Sequence, residues 1–485
     1  MHSSDTIAAI ATPPGHGGIA VLRVSGPDAL AVLQALFLPS GAPDAAFVFH
    51  PRHMHYGRAS DEAGNTLDDV LAVFMPGPSS ATGEDVGEIH CHGGMGVSEA
   101  LLEAALSVGA RLAAPGEFTR RAFLNGRMDL SQAEAVAELI SAPTKEGVRL
   151  AAAKLEGRLS HEIGSLRASL DALRMQATLA VDFPDEDAEL LPQETFARTV
   201  RTAKDSVRAL LAAFERARLW REGAVAVLAG RVNAGKSNIL NALLGRPRAI
   251  VSDEPGTTRD YLEESVNLRG LPLRMIDTAG LRDGGGLVEA EGIRRTKDLA
   301  AEADILLFVT DIRQPLCADE WDFLRSRTDM LAKKCLLTLL NKIDTLPEPG
   351  KAASEHLLRD APPDLLPLLR DCPCFAVSAR TGVGLDALAD GMLTALRHTV
   401  PDQTAPHRTN EPTATDIAPN LRQSLLLRKT AQELEELEQA LAQGLPPDIL
   451  NIHLESASSL LEDVTGSSGN EEILDTIFSS FCIGK

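Results

Sequence analysis

Apolar and polar positions change their period several times along the chain. Up to about residue 120, short apolar runs alternate with Gly and Pro turns. Ile7–Ala11, Gly18–Val24 and Val70–Met75 read as strands, and Pro13-Pro14-Gly15 and Pro76-Gly77-Pro78 as turns. Asp28–Leu36 and Val97–Val108 carry helical spacing, which makes this first part α+β. Residues 130–182 are rich in Ala, Leu, Glu and Arg. Leu150, Leu155, Leu159, Ile163, Leu166 and Leu170 recur there at helical intervals until Asp182-Phe183-Pro184 breaks the run. A second helical stretch covers 194–221, and long helices of this kind pack as a bundle.

From about residue 223 the pattern switches again. Ala224–Ala229, Leu273–Ile276, Ile305–Val309, Leu336–Leu340 and Phe375–Val377 are nearly continuous apolar runs separated by helical stretches. Strands buried on both faces read this way, and strand–helix alternation predicts a parallel α/β sheet. A Pro/Thr-rich linker over Val400–Pro419 follows, and helix returns over 420–485. Leu427, Leu434 and Leu441 form a stripe that we read as bundle core rather than a coiled-coil seam. Helix on both sides of the α/β unit implies one helical domain interrupted by an inserted one. The expected domains are 1–120, α+β; 121–220, first helical part; 221–398, inserted α/β; and 399–485, linker and second helical part.

Composition narrows the function classes. The 47 basic and 68 acidic residues leave a net charge of −21, which opposes unaided wrapping of nucleic acid. Aromatics are 4%, so base-stacking platforms are thinly supplied. The six cysteines contain no CxxC pair and form no disulfide framework, which fits a reducing cytoplasm. No leader pattern and no membrane span of about 18 apolar residues is expected.

The sharpest chemistry lies in Gly230-Arg231-Val232-Asn233-Ala234-Gly235-Lys236-Ser237, between an expected strand and an expected helix. It is a GxxxxGK[ST] phosphate loop in its required context, with Lys236 for the β- and γ-phosphates and Ser237 for Mg²⁺. Asn238 follows within the same phosphate-binding run. Further motifs arrive in GTPase order. Ser252-Asp253-Glu254-Pro255-Gly256-Thr257-Thr258 leads to Thr258 as the second Mg²⁺ hydroxyl. Asp277-Thr278-Ala279-Gly280 ends a strand near the metal and the γ-phosphate. Asn341-Lys342-Ile343-Asp344 also ends a strand, and Asp344 can accept from guanine N–H groups that adenine lacks. Ser378-Ala379-Arg380 completes the base pocket with a backbone N–H. Many GTPases orient water with a glutamine after the DxxG glycine; here that residue is Leu281. Asp283, Glu289 and Glu291 are the available carboxylates.

Across nearly its whole length the chain resembles the MnmE (TrmE) family of tRNA-modification GTPases. The resemblance rests on Asp5-Thr6-Ile7-Ala8-Ala9 with Thr12-Pro13-Pro14-Gly15, Thr82-Gly83-Glu84-Asp85, Pro115-Gly116-Glu117-Phe118 and Arg121-Ala122-Phe123-Leu124-Asn125. Asp182-Phe183-Pro184 and the closing Phe478-Ser479-Ser480-Phe481-Cys482-Ile483-Gly484-Lys485 complete it. It implies a multidomain α/β and α fold: an N-terminal α+β folate-binding and dimerisation domain, a discontinuous helical domain, and an inserted Ras-like P-loop G domain. It implies a homodimer whose GTP hydrolysis is stimulated by K⁺ in the place of an arginine finger. Asn233 matches the family's K⁺-binding asparagine, and the remaining K⁺ contacts map onto Ser252, Glu254 and Thr257. The family's water-orienting glutamate falls on Glu289.

The resemblance further implies a site for 5,10-methylenetetrahydrofolate or 5-formyltetrahydrofolate at Arg23, Glu88, Arg127 and Lys485, with Cys482 as a reactive thiol nearby. The implied task, shared with the flavin-dependent partner MnmG (GidA) in a heterotetramer or larger complex, is modification of carbon 5 of the wobble uridine of certain tRNAs. The group added is carboxymethylaminomethyl or aminomethyl. Arg127 stands where lysine is usual, Asn238 where Ser or Thr is common, and His16 where arginine is usual. The His53/His55 and His90/His92 pairs lack the spacing of a common zinc module. The competing reading is a ribosome-assembly GTPase switch, which the acidic charge and the lack of a basic RNA module oppose.

Overall fold

Strand β2 (Ile19–Ser25) buries Ala20, Leu22 and Val24 on one face and turns Val21 and Arg23 to the other, the two-residue period of a strand with different neighbours on each side. In the computed structural model, which describes residues 5–40, 47–182, 192–245, 262–268, 271–277, 303–332, 335–346, 358–399, 417–466, 471–479 and 481–485, β2 is central to a seven-stranded sheet. Its other strands are β1 (Ile7–Ile10), β3 (Phe37–Pro39), β4 (His55–Ser60), β5 (Thr66–Met75), β6 (Val86–His92) and β7 (Arg111–Leu112), in the order β3-β4-β5-β6-β2-β1-β7. Helices α1 (Ala29–Leu36) and α2 (Met95–Ser107) cover one face, where Leu22, Val24, Leu33, Leu36 and Leu101 form the core. On the other face Ile7 and Ala9 of β1 pack with Ala113 and with Phe118 of α3 (Glu117–Leu124).

The expected boundary at residue 120 falls inside α3. Arg121 of that helix is buried and donates to the Asp5 backbone carbonyl and to the Asp5, Glu84 and Glu117 carboxylates, so α3 is tied to the sheet that precedes it.

The run 130–182 is three helices rather than one: α4 (Leu130–Ser141), α5 (Lys145–Leu155) and α6 (Arg158–Asp182), with breaks at Ala142-Pro143-Thr144 and Glu156-Gly157. Gly157 sits at φ +81, a conformation that ends a helix readily only in glycine. α7 (Gln193–Glu222) follows. After the insertion come α13 (Leu421–Ala442), α14 (Pro447–Thr465) and α15 (Glu471–Ser479). Chain contacts divide the molecule into two units. One holds 1–141, 151–211 and 419–485; the other holds 142–150 and 212–418.

In the first unit α14 packs against both α13 and α6. Leu159, Ile163, Leu166, Leu170 and Leu173 of α6 and Leu450, Leu454, Leu461 and Val464 of α14 are buried at helical spacing. Leu427 and Leu434 are fully buried, as bundle core requires, and Leu441 is half-buried at the stripe's end. The two halves of this split domain meet in a buried ionic contact. Arg422 Nε and Nη2 donate to the Glu134 carboxylate of α4 at 2.6 and 2.9 Å, and Gln423 Nε2 adds a third bond at 2.6 Å. Arg422 also donates to the carbonyls of Asp463 and Val464 in the last turn of α14.

The second unit holds β8 (Ala224–Ala229), α8 (Lys236–Leu244), β9 (Leu262–Leu268), β10 (Leu271–Asp277) and β11 (Ile305–Asp311). α9 (Ala318–Arg325), α10 (Thr328–Ala332), β12 (Leu336–Asn341), α11 (Leu366–Asp371), β13 (Cys374–Ala376) and α12 (Leu385–Thr399) complete it. The sheet order is β13-β12-β11-β8-β10-β9, parallel except for β9, which pairs antiparallel with β10. α8 and α12 bury one face, with Leu240, Leu243, Leu388, Met392 and Leu396; α9, α10 and α11 bury the other, with Trp321, Leu324, Met330 and Leu369. Among the described residues no helix is long and apolar enough to cross a membrane.

Replacing Arg422 with alanine leaves the buried Glu134 carboxylate without its guanidinium and frees two α14 carbonyls. The expected loss is about 3–5 kcal/mol, read as a lower urea midpoint by circular dichroism. An unchanged midpoint would show that the helical halves close without this contact.

Candidate functional site

In a parallel sheet the carboxyl ends of the strands lie along one edge, and the loops leaving that edge are where ligands bind. The loop leaving β8 runs from Gly230 to Gly235 and opens α8. Two glycines make its path feasible. Gly230 has φ +134, and a Cβ there would stand 2.0 Å from the Val309 carbonyl oxygen of β11. Gly235 has φ +97, and a Cβ there would lie 2.3 Å from Asn341 Nδ2. Asn233 between them is also left-handed, at φ +64. Lys236, Ser237 and Asn238 form the first turn of α8, whose N–H groups have no partner within the helix and favour an anion. Lys236 is buried, and its Nζ lies 3.0 Å from the carbonyls of Gly230 and Arg231.

The loop leaving β12 meets this one through a side-chain amide and a neighbouring ammonium. Asn341 is buried; its Nδ2 donates to the Ala234 carbonyl at 2.9 Å, and its Oδ1 accepts from the Ala379 N–H at 3.2 Å. Lys342, at φ +69, turns the chain and donates from Nζ to the Asn233 carbonyl at 2.6 Å. Asp344 accepts from Ser378 Oγ at 2.7 Å and pairs with Arg380 Nη2 at 2.5 Å. The Ser378 hydrogen bond, with the Arg380 charge behind it, holds the Asp344 carboxyl below the usual range. Asp344 is therefore an ionised acceptor across the neutral pH range. Lys236, Asn233, Ala234, Gly235, Asn341, Lys342, Asp344, Ser378, Ala379 and Arg380 are thus one connected set.

Two anchors of this loop escaped the sequence reading. Arg231 donates to Gln314 Oε1, to the Pro315 carbonyl and to Glu320 Oε2 at 2.6 Å, so its side chain is drawn toward α9. Burial pushes the Glu320 carboxyl up, but the Arg231 bond and charge together with hydrogen bonds from Cys317 outweigh it, leaving the group below its usual range. Asp311 accepts from Lys342 Nζ at 2.9 Å. The available signal was a charged residue two positions after the continuous apolar run Ile305–Val309, placed like the other strand-end motif residues.

Ser252, Asp253, Glu254, Pro255, Gly256, Thr257, Thr258, Thr278, Ala279, Gly280 and Glu289 lie outside the described residues, as does the linker 400–416. Asp277 is placed by its backbone as the last residue of β10.

A second group stands on the N-terminal sheet. Ala9, Arg23, Glu88 and Val73 are register partners across β1, β2, β6 and β5, and so share one face. Arg23 Nε donates to Glu88 Oε1 at 2.9 Å, and its guanidinium lies 5.8 Å from the centre of the Phe118 ring. His90 Nε2 lies 3.2 Å from Glu88 Oε2. The segment 481–485 is fastened to the start of α3: Phe118 N–H donates to the Lys485 carbonyl at 3.2 Å and Gly116 N–H to the Cys482 carbonyl at 3.4 Å. Arg23, Glu88 and Lys485 are therefore linked through Phe118. Arg127 is exposed, with its stem beside Gly83, and Cys482 is exposed. Of the other histidines, His92 Nδ1 is 2.8 Å from Asp68 Oδ1, whose hydrogen bond raises the imidazole above its ordinary value.

Comparison with known proteins bears on both groups. Residues 6–127 match the family described as GTP-binding protein TrmE N-terminus, and residues 130–482 match the MnmE helical domain. A tRNA modification GTPase MnmE from Nitratidesulfovibrio vulgaris (strain DP4) is 50% identical over 485 residues, covering all of both chains. The protein of the same description from Lawsonia intracellularis is 41% identical over 481 residues, 99% of this chain and 100% of that one. That from Geobacter sulfurreducens is 41% identical over 486 residues and covers both chains fully. Joined to a TrmE-type N-terminal sheet and a split helical domain, the strand-edge loops complete the assignment: the chain belongs to the MnmE family.

Proposed function

We propose that the chain is a potassium-activated GTPase that acts as a homodimer with the flavin-dependent MnmG in the cytoplasm. Together they modify carbon 5 of the wobble uridine of certain tRNAs with a carboxymethylaminomethyl or aminomethyl group. The observation that carries the GTPase reading is the Asn341 amide, which joins the phosphate loop to the loop bearing Asp344. The tRNA reading rests on full-length identity with relatives described as tRNA modification GTPases.

The α8 N-terminus and Lys236 receive the phosphates. Lys236 Nζ lies on the Gly230 and Arg231 carbonyls, neutral acceptors that phosphate oxygens can replace. Ser237 and Thr258 would supply hydroxyls to Mg²⁺, and Asp277 would serve near the metal. Asp344 accepts from guanine N1–H and the exocyclic amine, and a backbone N–H of the Ser378–Arg380 turn serves the base oxygen; the Ser378 N–H donates to the Val383 carbonyl. The Ala379 N–H is already engaged by Asn341.

Asn233 suits K⁺ because Lys342 occupies its carbonyl, while its exposed side chain offers a neutral amide oxygen of the kind this cation takes. Ser252, Glu254 and Thr257 complete that set in our reading. A K⁺ held there would supply positive charge to the developing charge on the phosphates. Glu289 then orients the attacking water.

On the N-terminal sheet, Arg23 fixes one Glu88 oxygen, leaving the carboxylate positioned to accept from a pterin N–H. Arg127 and Lys485 provide cations for a folate glutamate tail, and Cys482 an exposed thiol on the same segment. A bound folate supplies the one-carbon unit. The net charge of −21 assigns much of the tRNA grip to the flavin-bearing partner.

Asp344→Asn replaces an acceptor by a group that also donates. GTP affinity is expected to fall about 10- to 200-fold, from about 1.5–3 kcal/mol per charged hydrogen bond, while xanthosine triphosphate gains affinity. Equal loss of both nucleotides would remove Asp344 from base reading. Hydrolysis should be much faster in KCl than in NaCl, and Glu289→Ala should bind GTP normally while losing about 100-fold or more in turnover. Equal rates in the two salts would overturn potassium activation. In cells lacking the protein, mass analysis of tRNA nucleosides should show loss of the wobble-uridine group; an unchanged profile would refute the tRNA role.

A further inference from the structure

We propose that Asp311 is a positioning residue for the nucleotide: it holds the Lys342 ammonium against the phosphate loop. Asp311 is the last residue of β11 and the register partner of Asn341 on β12, so it lies at the sheet edge from which both nucleotide loops depart. The residue is 4% exposed. Its Oδ1 accepts from the backbone N–H of Arg313 at 3.1 Å and from Arg313 Nε at 2.9 Å, and its Oδ2 accepts from Arg313 Nη2 at 2.6 Å. These three bonds orient the carboxylate and compensate its burial without help from Lys342. Oδ2 still has acceptor capacity, and Lys342 Nζ takes it at 2.9 Å.

The same Nζ donates to the Asn233 carbonyl at 2.6 Å. Carboxylate, ammonium and carbonyl therefore form a chain from the rigid sheet to the left-handed residue at the crown of the phosphate loop. Lysine carries the largest rotamer freedom among side chains, and a neutral carbonyl alone competes poorly with water for its ammonium. A buried, pre-oriented carboxylate confines it to one position. Neighbouring Asn341 holds the next carbonyl, that of Ala234, so consecutive loop residues are pinned by consecutive β12-end residues.

This inference rests on reading Asn341–Asp344 as the base-binding loop, and the test separates the two. The full chain is titrated with a fluorescent GDP analogue and its dissociation rate measured. If the wild-type chain binds no guanine nucleotide, the nucleotide reading itself fails. Given wild-type binding, Asp311→Asn is expected to raise the GDP Kd about tenfold, chiefly through faster dissociation, as loss of one charge-assisted bond does. Asp311→Glu, which retains the charge, should remain within about threefold of wild type. In a double-mutant cycle, Asp311→Asn combined with Lys342→Ala should be no weaker than the weaker single variant.

Additive losses would mean that Asp311 acts apart from Lys342 and would overturn the proposal, as would wild-type affinity in Asp311→Asn. Arg313→Ala discriminates further. It keeps the Asp311 charge beside Lys342 and the backbone bond from residue 313, and is expected to bind GDP better than Asp311→Asn; equal weakening of the two would reduce Asp311 to an anchor for its own loop and overturn the assignment.

Discussion

The buried amide of Asn341 is the contact on which the nucleotide site depends. Its donor side grips the phosphate loop at Ala234 and its acceptor side grips the base loop at Ala379. A buried amide with either half unpaired would be costly, so the two loops have one mutual position that satisfies it. The demand propagates outward. The amide sits so close to the loop that residue 235 has no room for a Cβ, and the β11 carbonyl imposes the same restriction at residue 230. Glycines at these two positions follow from the sheet edge itself, before any ligand is considered.

The N-terminal half uses a different device. A register row across four strands brings Arg23 beside Glu88, and the aromatic ring of Phe118 lies under the guanidinium. That ring belongs to a helix whose first turn is fastened by residues more than half a sequence away, through the Lys485 and Cys482 carbonyls. A charged pair on a sheet face thereby acquires a wall built from the distant end of the described chain.

Strands of the second sheet were legible because burial on both faces demands uninterrupted apolar runs, and Ala224–Ala229 matches its strand to the residue. β9 was not legible: Leu262-Glu263-Glu264-Ser265-Val266-Asn267-Leu268 mixes acids into an edge strand paired only with β10, and polarity hid it. Helical periodicity carried across Gly157 without revealing the break, because apolar spacing survives a turn that only backbone conformation discloses. The motif residues Lys236, Asn341 and Asp344 were readable from spacing. Asp311 was not, since its partner Lys342 is set by fold and not by any interval along the chain. For the same reason Arg422 gave no sign of its pairing with Glu134.

That last contact has a consequence for the birth of the molecule. Its two residues are separated by 288 positions, and the second unit lies between them. At about 5–20 residues per second on the ribosome, Glu134 waits roughly 15 to 60 s for its guanidinium. For most of that interval the leucine stripe of α6, made soon after Glu134, is present while α14, which will cover it, has yet to be made. The inserted unit is therefore synthesised, and can fold, inside a host that is still open.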